Sequence, residues 1–203
     1  MMKKYQVLSL VVSGAMIFSI AGFGCKKAEQ PAEAPKAAEQ AKQEQGPAEG
    51  YKVLNGTLEK GGLGFVLSAD KDKVASATKK VSYKNTLHVQ CKMSSQVTGS
   101  ARNGFIVFGD STEQARAGIL VGARQYMIDG SIVKEAKEQQ KFDQNKVFEL
   151  DVTVDLQKKT VVLKVDGHEV KTTITKVPAV ISYVGYIAGN AKTEFSELQV
   201  SGD

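Results

Sequence analysis

The residues whose types and spacing come nearest to chemistry are two carboxylates, Glu149 and Asp151. They stand in Phe148-Glu149-Leu150-Asp151-Val152-Thr153-Val154-Asp155-Leu156, where apolar and polar residues alternate, so a strand presents both on one outward face. Glycoside hydrolysis needs two carboxyl groups in opposed roles, one giving a proton while the other attacks or activates water. Alternating acids near Lys158, Lys159 and Lys164 suit a plainer role, cross-strand charge pairing on a solvent face. That is the expectation, and no catalytic residue is assigned. His88 and His168 have no partner at ligand spacing, so neither a metal site nor a cofactor is expected. Asp110, in Gly109-Asp110-Ser111, reads as a turn residue rather than a calcium ligand. Cys91 falls on the apolar side of an alternating run and is expected to be a small buried hydrophobe.

Binding chemistry has better candidates. Arg124 and Tyr126 alternate with Ala123 and Gln125 and so share one side of a strand, with Arg116 near in the chain. A tyrosine offers a flat apolar ring with a hydroxyl, and an arginine offers fixed hydrogen-bond donors, the combination a polyhydroxylated ligand requires. Arg124, Tyr126 and Arg116 are therefore the expected ligand-binding residues, projecting outward. Tyr83, Tyr183 and Tyr186 are further possible platforms. The chain has no Trp, which weakens a carbohydrate reading without removing it, because tyrosine can stack in its place.

The elements that must carry these residues are overwhelmingly of period two. Leu87-His88-Val89-Gln90-Cys91-Lys92-Met93 alternates without a fault, and the run from Phe148 to Leu156 does the same. Further strands are expected at Gly104 to Phe108, Gly118 to Gly122, Tyr126 to Ile128, Thr160 to Val165, Glu169 to Thr173, Tyr183 to Ala188 and Glu194 to Val200. Asp166-Gly167 suits a two-residue hairpin turn, since both central positions need positive φ, and Asp129-Gly130 is expected to do likewise. Glu135 to Gln140 lacks an apolar face and should be a loop or strand edge. Many short half-buried strands indicate an all-β antiparallel sandwich of two sheets.

Composition limits what can surround this domain. Of 203 residues, 42% are hydrophobic and 24% charged, with a formal charge of +5. Lysines alternate with acids, as in Lys134-Glu135-Ala136-Lys137-Glu138, whereas phosphate binding needs clustered cations, so no nucleic-acid partner is expected. Residues 1–24 read as a signal peptide: a basic start at Lys3 and Lys4, then an uncharged stretch from Val7 to Phe23. Residues 25–50, of Ala, Glu, Gln, Lys, Pro and Gly after Cys25, are expected to be a disordered linker, with a coil span of about 25 to 30 Å. The folded domain is placed at residues 51–203.

Ala21-Gly22-Phe23-Gly24-Cys25 resembles the lipobox of bacterial lipoproteins, although Gly22 stands where that family has an aliphatic residue. The resemblance implies that Cys25 is the lipid attachment site and becomes the mature N-terminus, tethering the protein to a membrane of the cell envelope. Lys26 rather than Asp after the cysteine favours the outer membrane over the inner.

The second half resembles the concanavalin A-like lectin/glucanase jelly roll, laminin G-like proteins included. The parts that carry the likeness are the alternating strand from Phe148, the Val165-Asp166-Gly167 hairpin, Val184-Gly185-Tyr186, and Phe195 with Leu198 in the closing segment. Asn103 to Asp110 and Ala117 to Gly122 fit the preceding hairpin. The resemblance implies a jelly-roll sandwich whose relatives bind sugars on one sheet. In the laminarinase-like glycosidases of this group a Glu-hydrophobic-Asp run is followed by a second catalytic Glu, which is missing after Asp151. The expected function is a non-catalytic, membrane-tethered module binding a glycan or another envelope ligand. A structural or interaction protein of the envelope is the alternative, and a glycan-active hydrolase ranks below both.

Overall fold

The computed structural model describes residues 50–95, 103–189 and 192–203. The expected signal peptide, Cys25 and all of the linker except Gly50 lie outside the described residues. Within them every regular element is a strand: β1 (Lys52–Leu54), β2 (Gly56–Lys60), β3 (Phe65–Ala69), β4 (Val74–Tyr83), β5 (Thr86–Ser95), β6 (Asn103–Gly109), β7 (Gln114–Leu120), β8 (Gln125–Gly130), β9 (Ala136–Gln139), β10 (Val147–Asp155), β11 (Thr160–Val165), β12 (His168–Thr173), β13 (Ile181–Gly189), β14 (Lys192–Phe195) and β15 (Gln199–Gly202). They form two antiparallel sheets. One has seven strands in the order β1-β4-β13-β6-β7-β8-β9; the other has eight, β12-β11-β10-β5-β14-β3-β2, with β15 also paired to β5.

Alternation drives the sandwich together. Leu87, Val89, Cys91 and Met93 of β5 and Phe148, Leu150, Val152 and Val154 of β10 are all buried, as are Ile106 and Phe108 of β6 and Val184 and Tyr186 of β13 from the facing sheet. Each such side chain contributes about 1.5 to 3 kcal/mol by leaving water. Tyr186 lies at the centre of an aromatic group, 4.6 Å from Phe195 and 5.6 Å from Tyr51 between ring centroids. Its hydroxyl donates to the Ser196 carbonyl at 2.8 Å, so burying it leaves no unpaired donor. Burial holds the Tyr186 phenol far above its ordinary range, in the protonated donor form.

Local chemistry sets the turns. Asp166 (φ 49°) and Gly167 (φ 85°) make the expected tight hairpin between β11 and β12. Both central residues are left-handed, as a type I′ turn requires. Asp129-Gly130, by contrast, does not form a hairpin: both residues finish β8, and Asp129 pairs with Arg116 of β7. The cross-strand ion pair holds Asp129 in the ladder. The segment from Glu194 to Val200 is two strands rather than one. β14 pairs with the Met93 end of β5 and β15 with its Leu87 end, and Ser196 to Leu198 form the offset between them. The strand expected at Gly118 to Gly122 runs earlier, from Gln114 to Leu120, with the following residues turning toward β8. Glu135 to Gln140 contains the edge strand β9.

Candidate functional site

The outward side of the seven-stranded sheet can be mapped from its pairing. One cross-strand row reads Lys52, Thr78, Gly185, Val107, Arg116 and Asp129 on successive strands from β1 to β8. A neighbouring row reads Lys80, Tyr183, Gly109 and Gln114. On the other side lies an apolar row with Ile187, Phe105 and Met127, and Phe105, Val107, Met127 and Ile187 form a small cluster separate from the main core.

Arg116 and Asp129 anchor this face. The guanidinium donates from Nε to Asp129 Oδ1 at 2.6 Å and from Nη2 to Oδ2 at 2.8 Å. It lies 4.6 Å over the Phe105 ring. The hydrogen bond to Asp129 raises the arginine pKa further, against a smaller opposing effect of burial, so the pair is held in its charged form. Side-chain exposures of 32% and 19% leave the pair rigid but reachable. A guanidinium has five N–H groups and the fork uses two, so three remain for hydroxyl or carboxylate oxygens of a ligand.

Tyr183 supplies a flat ring. Its neighbour Ile181 is buried in the core two residues earlier, and strict alternation would send Tyr183 inward as well. A register shift in the β13–β4 pairing between Ile181 and Tyr183 reverses the side, as a bulge does. The Tyr183 hydroxyl donates to Gln114 Oε1 at 3.1 Å. Partial burial, and behind it the Asp110 carboxylate, raises its pKa and keeps it a donor. Two nearby glycines are required by close backbone approach: a Cβ on Gly185 would stand 2.0 Å from the Ala77 carbonyl oxygen, and one on Gly109 would stand 2.2 Å from the Glu113 carbonyl oxygen. From Tyr183 to Arg116 is two strands across and one residue pair along, about 12 Å.

Of the three expected ligand-binding residues, only Arg116 belongs to this face. Tyr126 is 5% exposed and points inward, stacked on Phe142 at 5.5 Å with the rings 1° from parallel. The outward face expected for Tyr126 is therefore corrected: in β8 it is Gln125, Met127 and Asp129 that face out. Arg124 is exposed in the turn before β8 with φ 53°, five residues, or about 17 Å, along the hairpin from the Arg116–Asp129 pair. It does not join the pair. Tyr186 is core, and Tyr83 is half-buried against the core. Asp129, Lys80 and Gln114 escaped the sequence reading. The one signal for Asp129 was a hairpin placing it opposite Arg116.

On the opposite side of the sandwich, a groove of about 580 Å³ separates Glu149, Asp151 and Lys164 from the segment Ser196 to Gln199. Three carboxylates line it: Glu149 lies 3.5 Å from Lys92, while Glu197, exposed, makes no side-chain hydrogen bond or ion pair with a described residue. Asp151 accepts from Gln90 Nε2 at 2.9 Å and lies 2.8 Å from His88 Nε2. Glu149 is 71% exposed, and Thr153 occupies the place where a further acid on the same face would stand. Glu149 and Asp151 are thus partnered across strands, but by Lys92, His88 and Gln90 of β5 rather than by Lys158, Lys159 and Lys164 as expected; Lys158 pairs with Asp155 and Lys164 with Glu169. Asp110 also behaves as a turn residue, its Oδ1 accepting from the Thr112 N–H and hydroxyl and from the Glu113 N–H. Those bonds, Thr112 first, hold its carboxyl below the usual range.

No protein-family model matches the sequence, and no curated protein matches it. Solved structures do. A carbohydrate-binding module, CBM66, from Bacillus subtilis superposes with a TM-score of 0.64 at 14% identity, covering 77% of this chain and 98% of that one. The fold is a jelly-roll sandwich. A Bacillus licheniformis β-glucanase gives a TM-score of 0.56 at 14% identity over 77% of this chain and 90% of its own. A sialidase gives 0.54 at 12% identity over 73% of this chain but only 17% of its own. At such identities the likeness is one of fold, so function must be argued from the site.

Proposed function

We propose that this chain is a non-catalytic glycan-binding module, held on the bacterial cell envelope by a lipid at Cys25, with its ligand on the outward face of the seven-stranded sheet. The observation that carries the reading is the Arg116–Asp129 fork over Phe105, set on the same outward face as the Tyr183 ring. Sugars present apolar C–H faces and fixed hydroxyls, which a tyrosine ring and a rigid guanidinium–carboxylate pair complement. The CBM66 likeness over nearly all of that module supports the same reading. The lipobox-like segment and the Ala, Glu, Gln, Lys and Pro composition after it support the tether.

The test is a glycan array and polysaccharide pull-down with the full chain, followed by affinity measurements on each ligand found. Tyr183→Ala and Arg116→Lys should each weaken binding by about 1 to 2 kcal/mol, the usual size for a central contact. Arg116→Lys retains a charge for Asp129 but loses the fork. Arg124→Ala and Glu149→Gln should bind as wild type. Unaltered affinity in the first two variants would remove the ligand from this face, and glycan cleavage abolished by Glu149→Gln would make the chain a hydrolase.

A further inference from the structure

The two outward faces of the sandwich carry opposite charge. On the seven-stranded sheet the outward strand positions hold Lys52, Lys80, Arg116 and Lys137 against a single carboxylate, Asp129. On the eight-stranded sheet four lysines stand against six carboxylates, among them Glu149, Asp151, Asp155 and Glu169. The second face is also internally paired, through Lys92–Glu149, Lys164–Glu169 and Lys158–Asp155. On the first, Arg116 is matched by Asp129 and Lys137 by Glu135 at 2.9 Å. Lys52 and Lys80 make no ion pair with a described residue. Lys80 is the register partner of Tyr183, and Lys52 opens the row that ends in Arg116 and Asp129. The rim adds one carboxylate beside Tyr183, Asp110, whose Oδ1 is taken up by Thr112 and Glu113.

We propose that the glycan bound on this face is acidic, its sugar carboxylates meeting Lys80 and Lys52 while a ring stacks on Tyr183. This rests on the glycan-binding reading above and names the class of ligand. An ammonium group next to the aromatic ring, Lys80, and a second, Lys52, about 12 Å from Tyr183 along the same face, neither matched by a described carboxylate, favour a sugar that carries charge, whereas a neutral sugar gains nothing from them. Outward lysines on strands pack little, so their removal changes charge without unfolding the sheet.

The experiment presents the full chain with polygalacturonate, alginate and hyaluronan, each beside its carboxyl-reduced form, together with neutral polysaccharides. Acidic forms should be retained and reduced forms lost. Binding should also fail at about 1 M salt, where charges are screened beyond about 3 Å. Lys80→Gln and Lys52→Gln, each with an unchanged melting temperature, should weaken binding by about two- to fivefold. Equal retention of acidic and reduced forms, or retention of neutral polysaccharides alone, overturns the acidic class and leaves the glycan reading standing. Retention of none of these polysaccharides overturns both.

Discussion

Replacing Tyr126 by alanine should unfold the domain at a lower temperature rather than merely silence a binding face. The ring is 5% exposed, lies parallel to Phe142 at 5.5 Å and sits 5.7 Å from the His168 ring. A buried aromatic removes roughly 150 to 250 Å² from water, which at about 25 cal/mol/Å² bounds its contribution near 4 to 6 kcal/mol. Alanine keeps part of that, and Phe142, half-buried outside the strands, can settle toward the gap. The expected cost is therefore about 3 kcal/mol, at the lower end for truncation of a buried aromatic. For a domain of this size that is a fall of about 6 to 12 °C in the midpoint. Thermal melts followed by far-ultraviolet circular dichroism, with calorimetry as a check, would measure it. Tyr126→Phe supplies the contrast, because it keeps the stack and removes only the hydroxyl, and should melt within about 2 °C of wild type. A Tyr126→Ala protein that melted like wild type yet lost its ligand would refute the inward placement.

Three further outcomes follow from cysteine chemistry. Burial pushes the Cys91 thiol up to about 12 from an ordinary 9.0, so in a Cys25→Ser background it should resist iodoacetamide at pH 8 until the protein is unfolded. Between pH 9 and about 12 the unfolded chain loses this proton while the folded chain retains it, so Cys91 makes stability fall as pH rises through that window. Comparing the alkaline limb of stability in Cys91→Ala with wild type isolates the effect, and rapid native alkylation would contradict the burial. For the tether, labelled palmitate should enter wild type and not Cys25→Ser; equal labelling of the two removes the lipid anchor.

The fold was legible wherever one face of a strand is core and the other is water. The runs at Leu87 to Met93 and Phe148 to Leu156 alternate because β5 and β10 lie side by side in the middle of a sheet with a solvated outer face. Thr160 to Val165 matches β11 residue for residue, helped by the Asp166-Gly167 turn that follows. Four strands before Leu87 went unannounced. β4 is marked by Ala75 and Ala77, residues too small to show as a hydrophobic beat, and β1 is a three-residue edge strand. The break between β14 and β15 was overlooked although the alternation slips there: Phe195 and Leu198 are both buried three residues apart, with Ser196 and Glu197 both polar between them, a spacing a single straight strand does not put on one face.

The outward face of the seven-stranded sheet was harder to read for a reason that lies in the sheet itself. Its inner strands are flanked on one side by the core and on the other by an apolar cluster, so β6 is buried along nearly its whole length and gives no polar beat to mark the outside. Without that beat the side on which Tyr126 falls cannot be fixed from Arg124 and Gln125, and the choice reverses with a single-residue change in where the strand begins. Tyr183 depends on a register shift that its own neighbours do not announce. The Arg116–Asp129 pair joins residues thirteen apart through a hairpin whose turn lies at Val121 to Arg124, not at Asp129-Gly130. Placing the turn correctly brings the two charges opposite one another. What was legible in composition was the supply of tyrosine and arginine; which of them meet on one face is decided by strand register, a property of pairs of segments rather than of either alone.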